Sequence, residues 1–426
     1  MPCASAGQAR ERPDGRPGSG ARTDPGIKAY RDGTHRTTSP ASTIERLSPL
    51  MASMGITRVA NVTGLDRIGV PVVMVVRPNA RSIAVSQGKG LDLDAARASG
   101  LMEAAELWHA ERIDLPLRLC SYEDLSKTQP VVDVEALPRV EDSRFGPALR
   151  LLWIEGRDLL SNRTLWLPYE TVHTDYTLPL PSGSGCFPAS SNGLASGNHL
   201  LEAMVHGICE VIERDATTLW HRLDMPARAR TRVDLGTVDD QACREVVGRL
   251  EQAGFAFAAF ETTSDVGIPA FHCAILDEGS PHGHGGIGAG CHPARGIALL
   301  RALCEAVQVR MTYISGSRDD LEAKEFRRAA MAQRLRGLRA LMRAGDGGRA
   351  FTEAPDRDFP SLADDLDWLL ERLCAVGVRE VAIVDLTRPE MGLPVVRVVI
   401  PGLEAPDDVA GFVPGQRAQA LREGVR

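Results

Sequence analysis

The amino-acid sequence predicts a mixed α/β (α+β) fold, in which strands and helices are interspersed along the chain. Short apolar runs rich in Val, Ile and Phe occur in pairs, as strands do, and longer stretches with helical spacing separate them. No segment repeats with the fixed period of a solenoid. The 426 residues suffice for one large domain or two ordinary ones.

The composition excludes several classes of protein. The chain is 43% hydrophobic and 25% charged, which is typical of a globular protein. A formal net charge of -7 argues against a nucleic-acid partner, and no apolar run is long enough to cross a membrane. Nine cysteines, an odd number without a Cys-x-x-Cys pair, predict a reduced cytoplasmic protein.

The two ends of the chain differ from its middle. Residues 1–25 are rich in Gly, Pro and Arg and lack the apolar stretch of a secretory signal, so we expect a disordered tail there. We expect an ordered domain over residues 26–404 and a polar tail over residues 405–426.

The first predicted elements are a helix from Thr43 to about Met54 and a strand pair. The strands lie within residues 69–78 and 81–86 and are joined by a turn at Asn79 and Ala80. We expect the sequence QGKG to form a loop that leads into a helix from about Asp92 to Glu111.

Two further strands are predicted to begin at Arg150 and Thr164. A stretch rich in Pro, Ser and Gly then leads to NGLASGNHLLEAMVHGICEVIERD, residues 192–215, which begins as a glycine-rich loop and becomes a helix. A second strand pair is predicted at residues 255–263 and 268–276. A third helix is predicted at residues 293–313 and a charged helical stretch at residues 321–343. Two last strands are predicted at residues 381–387 and 394–402.

One pattern occurs three times: a glycine-rich loop is followed by a mostly apolar helix that carries acidic or amide side chains. On the first helix, Ser99, Glu103 and Glu106 share one face because a helix advances about 100° per residue. On the second, Glu202 and Glu213 point in nearly the same direction, with Glu210 within about a quarter-turn of both. Glu202 lies roughly 12 Å from Glu210 along the helix axis, so one ion cannot contact all three.

The carboxylates on these helices predict a bound cation, because buried negative charge is costly without a counter-charge. Mg²⁺ takes carboxylate, phosphate and water oxygens. Lys89, Arg214 and Arg310 lie beside the carboxylates and suit an anionic ligand, and glycine-rich loops before helices favour phosphate. The sequence therefore indicates a site for a Mg²⁺-nucleotide.

Simpler interpretations exist for each feature taken alone. A single E-x-x-E is typical of a solvated helix face, and none of the three loops matches a P-loop or a dinucleotide-binding pattern. The spacing of His282, His284, Cys291 and His292 fits no standard zinc site, so a loop that happens to contain histidines is the preferred interpretation. Cys209 is interpreted as a packed thiol, and a sulfur-relay role is left open for Cys186.

The three helices resemble elements of the YcaO family, ATP-dependent enzymes that activate peptide backbone amides. The likeness covers about residues 28–404. The matching residues are Ser99, Glu103 and Glu106 in the first element, Asn198, Glu202, Glu210, Glu213 and Arg214 in the second, and Glu305, Gln308 and Arg310 in the third.

The resemblance implies a YcaO fold, with ATP and Mg²⁺ as cofactors and the ATP site between carboxylate-bearing helices and sheet. The implied Mg²⁺ ligands are Glu103, Glu106, Glu202, Glu210 and Glu213, which together with Arg214 are the implied catalytic residues. The implied nucleotide contacts are Lys28, Arg36, Lys89, Ser99, Asn198, Arg214, Gln308 and Arg310.

The N-terminal part, including KAYRDGTHRT and GITRVANVTGLDRIGVPV, is similar to YcaO proteins that act with a TfuA partner in thioamide formation on ribosomally made peptides. The implied partners are a precursor peptide or protein substrate, a TfuA-like protein and a sulfur donor, and a homodimer is left open. Azoline-forming members end in a Pro-x-Pro-x-Pro tail, whereas this chain ends QALREGVR, so we expect thioamidation rather than cyclodehydration. The alternatives are an azoline cyclodehydratase, a non-catalytic nucleotide-binding scaffold and a metal-dependent hydrolase that does not use ATP.

Overall fold

The computed structural model describes residue 24 and residues 26–279, 284–343 and 348–422. The helices of this part of the chain are α1 Pro40–Leu47, α2 Leu93–Ala110, α3 Tyr122–Ser126, α4 Leu200–Arg222, α5 Met225–Arg230, α6 Gln241–Gln252, α7 Arg295–Ser315, α8 Arg328–Arg343, α9 Leu362–Ala375 and α10 Gln416–Arg422. No described helix is both long enough and apolar enough to cross a membrane.

The strands combine into two small sheets, one larger sheet and a short parallel pair. They are β1 Arg58–Asn61, β2 Val72–Val76, β3 Val85–Lys89, β4 Leu117–Ser121, β5 Arg150–Asp158, β6 Thr164–Pro168, β7 Leu194–Ser196, β8 Val233–Asp234, β9 Ala256–Glu261, β10 Ala270–Leu276, β11 Gly286–Cys291, β12 Arg349–Ala350, β13 Ala382–Asp385 and β14 Val395–Val399. The small sheets have the orders β1-β2-β3 and β11-β10-β9, and the larger one β4-β5-β13-β14-β7 with β6 on β5. The fold is therefore mixed α/β, as the sequence predicts.

Each of the three sheets ends in a strand that leads into one of the carboxylate-bearing helices. β3 is followed by α2, β7 by α4 and β11 by α7, and each helix packs against the strand that precedes it. The apolar faces of these helices lie in buried clusters, with Leu101 in one, Ile208 in another and Leu303 in a third. Three strand–helix units thus hold their polar faces near one another.

The prediction that glycine-rich loops precede the three helices is wrong, because each of these segments contains a strand. The segment before α4 contains β7, Leu194–Ser196. Gln87, Gly88 and Lys89 end β3, and Gly286, Gly288 and Gly290 lie in β11. A Cβ atom at Gly88 would lie 2.0 Å from the carbonyl oxygen of Ala96, and one at Gly288 would lie 2.3 Å from that of Ala302. These glycines allow a helix backbone to lie directly on a strand, a use of glycine that a sequence pattern does not separate from a loop.

Two other boundaries differ from the sequence prediction. α1 begins earlier than predicted, at Pro40, because the Ser39 side chain caps it, and it ends at Leu47, just before Pro49 could interrupt its hydrogen bonds. The connection between the strands is longer than predicted, since they separate at the Val76–Val85 pair and residues 77–84 connect them. It does contain a turn at Asn79, where the Ala80 N–H donates to the Arg77 carbonyl.

The remaining predicted strands and helices are confirmed, except that the charged helical stretch predicted from residue 321 becomes an α-helix only at Arg328, after a short 3-10 helix at Ala323–Phe326. The segments from Arg150 and Thr164 form the antiparallel pair β5 and β6, and β9 and β10 pair as predicted. The last strands, β13 and β14, also pair antiparallel. α10 packs on α4, where Arg417 forms an ion pair with Asp215. The division into a tail, a domain and a second tail stays a prediction.

Candidate active site

A cavity of about 700 Å³ lies between α2, α4, α7, β3 and the segment from Asp32 to Thr43. Of the thirteen residues that the resemblance implies as metal or nucleotide ligands, eleven line this cavity. They are Arg36, Lys89, Ser99, Glu103, Glu106, Asn198, Glu202, Glu210, Glu213, Arg214 and Gln308. Residues that are far apart in the sequence therefore face one space, although the role of each stays a prediction.

Two predicted nucleotide contacts are not brought to the cavity. The amino group of Lys28 is buried and lies 2.8 Å from the Asp365 carboxylate. Arg310 Nε lies 2.6 Å from Asp66 Oδ2, and Arg310 also donates to a backbone carbonyl. Gln308 lines the cavity, and a residue two positions further along a helix points about 200° away from it. The side chain of Arg310 therefore points away from the cavity, where Gln308 could contact a nucleotide.

The two glutamates of α2 each use one carboxylate oxygen to hold a neighbouring strand. Glu103 Oε1 accepts a hydrogen bond of 3.1 Å from the backbone N–H of Gln87 in β3. Glu106 Oε1 accepts from the backbone N–H and the hydroxyl of Ser196 in β7, at 2.8 and 2.7 Å. Among the described residues, no hydrogen bond reaches the second oxygen of either side chain, so each carboxylate is positioned and still has an oxygen for a ligand.

Glu202 differs from these glutamates because protein donors reach both of its oxygens. Oε2 accepts from the backbone N–H and hydroxyl of Thr37 at 3.1 and 3.2 Å, and Oε1 accepts from the backbone N–H and amide of Asn198 at 3.2 and 3.3 Å. Arg36 Nη1 lies 3.6 Å from Oε1. Glu202 thereby attaches the N-terminal segment to α4, and a metal ion there would have to share these oxygens with the donors.

Glu210 and Glu213 lie one turn apart on α4 and have few protein partners. The Gly193 backbone donates to Glu210, and Arg214 Nη2 lies 3.8 Å from Glu213 Oε1. Burial raises the pKa of Glu106 to about 8 and that of Glu210 to about 7, and it also raises the pKa of Glu213. Repulsion between neighbouring carboxylates adds to the shift at each of the three, so this wall of the cavity favours a cation.

Cations line the same cavity. Lys89 Nζ, at the end of β3, lies 2.8 Å from Glu305 Oε2 on α7. Burial opposes ionisation of Glu305, but Lys89 and Arg214 outweigh it and lower the pKa of Glu305 below its usual value. Arg301 also lines the cavity and donates a hydrogen bond of 3.0 Å to the backbone carbonyl of Cys291. The cavity can therefore receive both a cation and an anionic group.

Several lining residues were missed by the sequence reasoning. Arg301 lies one turn before Glu305 on α7, and His206 lies one turn from both Glu202 and Glu210 on α4. The helical spacing that relates the glutamates would also have identified these two residues. Arg318, which lines the cavity from the segment after α7, has no comparable signal in the sequence.

The cavity does not contain a preassembled metal cage. Within the described residues, no three acidic, histidine or cysteine side chains lie close enough together to hold a metal ion. Mg²⁺ usually keeps several water ligands and is held by one or two carboxylates together with phosphate oxygens. Carboxylates spaced along a wall, with free oxygens at Glu103 and Glu106, fit such an ion when it arrives with a nucleotide.

The histidine and cysteine candidates from the sequence lie elsewhere. His282 is outside the described residues, the ring of His284 stacks on Tyr313, and His292 contacts His35. Cys209 is fully buried, in agreement with a packed thiol. Cys186 is also fully buried, and burial raises the pKa of its thiol. A buried thiol with a raised pKa is a poor nucleophile, which does not favour a sulfur relay there.

Comparison with known proteins identifies the family to which these features belong. Residues 87–404 match the family described as YcaO cyclodehydratase, ATP- and Mg²⁺-binding. The chain belongs to the YcaO family. This match covers α2, α4 and α7, and therefore all three carboxylate-bearing helices of the cavity. The chain is accordingly an ATP-dependent peptide-modifying enzyme of the YcaO type, with ATP and Mg²⁺ as its cofactors.

Individual relatives agree with the family assignment. The chain is 33% identical over 400 residues to an uncharacterized protein in the tfuA 3' region of Rhizobium leguminosarum bv. trifolii, and the match covers 92% of each chain. It has the fold of YcaO from Methanopyrus kandleri bound with AMPPCP and Mg²⁺, with a TM-score of 0.69 and 23% identity over 89% of this chain and 95% of that one. It also has the fold of a heterocyclase in complex with substrate and cofactor, with a TM-score of 0.77 and 22% identity. That likeness covers 94% of this chain but only 57% of the heterocyclase.

Proposed function

We propose that this YcaO protein uses ATP to phosphorylate the oxygen of a peptide backbone amide and thereby forms a thioamide in a ribosomally made peptide. One observation carries the proposal: acidic and basic side chains from three separate helices and β3 face one cavity, in an arrangement that suits a Mg²⁺-nucleotide. Phosphoryl transfer depends mainly on positioning and charge neutralisation, and these side chains can provide both.

Each group of residues has a proposed part in this chemistry. Glu103, Glu106, Glu210 and Glu213 would hold Mg²⁺ from α2 and α4, and the ion would supply neutralisation of phosphate charge. Lys89, Arg214 and the other basic residues around the cavity contact the nucleotide and balance its negative charge. Glu202 holds Arg36 and Thr37 at the cavity in addition to any contact with metal.

No covalent intermediate with the protein is needed. Within the part of the chain that the structure describes, Cys304 is the cysteine that lines the cavity, and burial raises the pKa of its thiol to about 12, so it is not a ready nucleophile. In the proposed reaction the group that adds to the amide carbon is external. In the thioamide reaction it is sulfide from a sulfur donor, and in azoline formation it would be a Cys, Ser or Thr side chain of the substrate.

The thioamide product and a TfuA-like partner are supported by the relative encoded in the tfuA 3' region. The second candidate is azoline cyclodehydration, which the family description favours. A scaffold without catalysis is the third, but an unused cluster of buried carboxylates would destabilise such a protein. The precursor peptide, the sulfur donor and assembly as a homodimer remain parts of the proposal.

A reconstituted reaction distinguishes these candidates. The chain is combined with ATP, Mg²⁺, sulfide, a TfuA-like protein and a candidate precursor peptide. The mass of the peptide is then measured by mass spectrometry. ATP-dependent gain of about 16 Da per site indicates exchange of oxygen for sulfur by the proposed route, whereas loss of about 18 Da indicates an azoline. If the chain binds no nucleotide in any of these mixtures, the proposal is contradicted and a hydrolase that does not use ATP is favoured.

A further inference from the structure

His206 has a position in the cavity that the proposed binding of metal and nucleotide does not explain. It lies on α4 one turn from Glu202 and one turn from Glu210, so its side chain emerges on the same face as these carboxylates. It is the one histidine among the described residues that line the cavity. A titratable ring is thus placed among the residues proposed to act on ATP.

The ring nitrogens of His206 are available to a ligand. Across the described ranges, 26–279, 284–343 and 348–422, no hydrogen bond, ion pair or ring contact involves this side chain. The ring nitrogens of His206 are accessible from the cavity, so they are not buried polar atoms that lack a partner. His109 differs, because one of its ring nitrogens lies 2.7 Å from the carbonyl oxygen of Ala105 and the other is buried without a partner among the described residues.

The charges around His206 favour its neutral form. Three cations act on it from three different elements: Arg301 on α7, Arg36 in the N-terminal segment and Lys89 on β3. Burial, followed by these cations, holds the pKa of His206 well below its usual value. The facing carboxylates of its own helix are Glu202, which accepts hydrogen bonds from Thr37 and Asn198, and Glu210, a proposed metal ligand. The imidazole is therefore unprotonated and free to accept a proton, but these cations keep it a weak base until an anionic ligand offsets their charge.

Other groups in the cavity are less suited to accept a proton. Burial raises the pKa of the Cys304 thiol and of the Tyr313 hydroxyl, so both keep their protons. The glutamates that line the cavity are the proposed metal ligands, apart from Glu305, which forms an ion pair with Lys89. Asp32 and Asp408 also line the cavity but are exposed. His206 combines an accessible nitrogen with a place inside the cavity.

We propose that His206 is a catalytic residue, the general base that removes the last proton as the activated amide becomes a thioamide. This inference rests on the proposed function. Hydrosulfide adds to the amide carbon, and the former carbonyl oxygen carries the phosphoryl group. The S–H bond of this adduct then breaks, its proton passes to a ring nitrogen of His206, and its electron pair forms the C=S bond. The C–O bond breaks at the same time and phosphate leaves with that electron pair, so no oxidant or reductant is required.

The test compares His206→Ala and His206→Gln with the unaltered chain in the reconstituted thioamide reaction at saturating Mg²⁺-ATP and peptide. We expect both variants to bind the ATP analogue AMPPCP within about twofold of the unaltered chain and to lose about 100-fold or more in the rate of product formation. Added imidazole should restore part of the rate to His206→Ala, in proportion to its unprotonated fraction. Glu213→Gln, which lacks a proposed metal ligand, is the matched control and should not respond to imidazole.

The outcomes separate the two proposals. If the unaltered chain forms thioamide and His206→Gln is equally fast, the general-base assignment is overturned and the proposed function stands. If His206→Ala loses nucleotide affinity in proportion to its rate and imidazole has no effect, His206 has a packing role and the assignment is again overturned. If the unaltered chain forms no thioamide with any partner or peptide, the proposed function fails, and the assignment that rests on it fails as well.

Discussion

Lys89 Nζ lies 2.8 Å from Glu305 Oε2, and this ion pair connects the end of β3 with the middle of α7 at the cavity. The pair joins two sheets that have no strand in common, because β3 ends one small sheet and α7 packs on the other. Both side chains are mostly shielded from water. The same two residues therefore help to hold the cavity together and present charge to whatever it binds.

We expect Lys89→Met to destabilise the ligand-free protein, because it leaves Glu305 close to other carboxylates without its nearest cation. The free energy of unfolding should fall by about 2 kcal/mol in urea unfolding at pH 7. In the double variant Lys89→Met/Glu305→Gln, most of this loss should be recovered. If the loss in the double variant instead equals the sum of the losses in Lys89→Met and Glu305→Gln, the two side chains contribute no coupling energy.

The affinity for nucleotide should respond differently from stability. The double variant Lys89→Met/Glu305→Gln should fold well and yet bind AMPPCP with Mg²⁺ at least about tenfold more weakly, since a charged hydrogen bond contributes about 1.5–3 kcal/mol. Isothermal titration calorimetry measures this directly. Unchanged affinity would remove Lys89 from the nucleotide site.

Glu111 offers a carboxylate whose role should be purely structural. It is buried, and Arg77 donates to both of its oxygens, at 2.7 and 3.1 Å, away from the cavity. Glu111→Gln should lower the free energy of unfolding by about 3 kcal/mol at pH 7 and leave the affinity for nucleotide unchanged.

The pH dependence of the Glu111 effect follows from its pKa. Burial opposes ionisation of Glu111, but Arg77 outweighs it and lowers the pKa below its usual value. The ionised form therefore stabilises the fold above the pKa of the unfolded chain, and this contribution is lost as the pH falls. The difference between Glu111→Gln and the unaltered chain should accordingly shrink in acid. A difference that grew in acid would contradict the assignment.

Gly288→Ala tests whether the glycines of β11 serve helix packing. Its Cβ would lie 2.3 Å from the Ala302 carbonyl and 2.4 Å from the Ala306 nitrogen, so α7 must move. We expect a loss of at least about 3 kcal/mol in stability and weaker nucleotide binding, because Glu305 and Gln308 move with the helix. The matched control is Gly248→Ala in α6, where nothing lies within 4 Å of the new Cβ and a gain of about 0.5–1 kcal/mol is expected.

Binding of Mg²⁺ and nucleotide should release protons at neutral pH. Glu106 and Glu210 have pKa values of about 8 and about 7 in the ligand-free protein, so both are largely or partly protonated there. Their raised pKa values stabilise the ligand-free fold at low pH, and that contribution is lost as the pH rises through 7 and 8. A cation requires the ionised form, so affinity should increase with pH over the same range.

Calorimetry in buffers with different ionisation enthalpies counts these protons. The unaltered chain should release one to two protons on binding at pH 7, and Glu106→Gln should release about one fewer. Binding that takes up protons, or that is independent of pH between 6 and 8, would contradict the proposed role of these carboxylates.

The sequence predicted which residues line the cavity better than it predicted the path of the chain around them. Helical spacing alone placed Glu103 with Glu106 and Glu210 with Glu213 on shared faces, because an α-helix has a fixed rise and rotation. The same rule applied to Arg301 and His206 would have found two more cavity residues. The long-range bonds of Glu202 to Thr37 could not be predicted, since they depend on how the N-terminal segment folds back.

The glycine-rich segments show where sequence patterns fail. Gly88 and Gly288 look like loop residues because glycine is uncommon in strands. Glycine is required at these positions because α2 and α7 pack so closely on the strands that their carbonyl oxygens would clash with a Cβ atom. Such contacts between elements are absent from local sequence, so the strands β3 and β11 became evident only in the structure.

Whether the enzyme activates the amide by O-phosphorylation can be measured by following the oxygen of the peptide amide. A substrate peptide labelled with oxygen-18 at the backbone carbonyl is converted by the reconstituted enzyme with unlabelled ATP, and the released phosphate is analysed by mass spectrometry. Activation by O-phosphorylation predicts one labelled oxygen in phosphate for each amide converted. Product formation with entirely unlabelled phosphate would contradict the account, because the amide oxygen would then have left by another route.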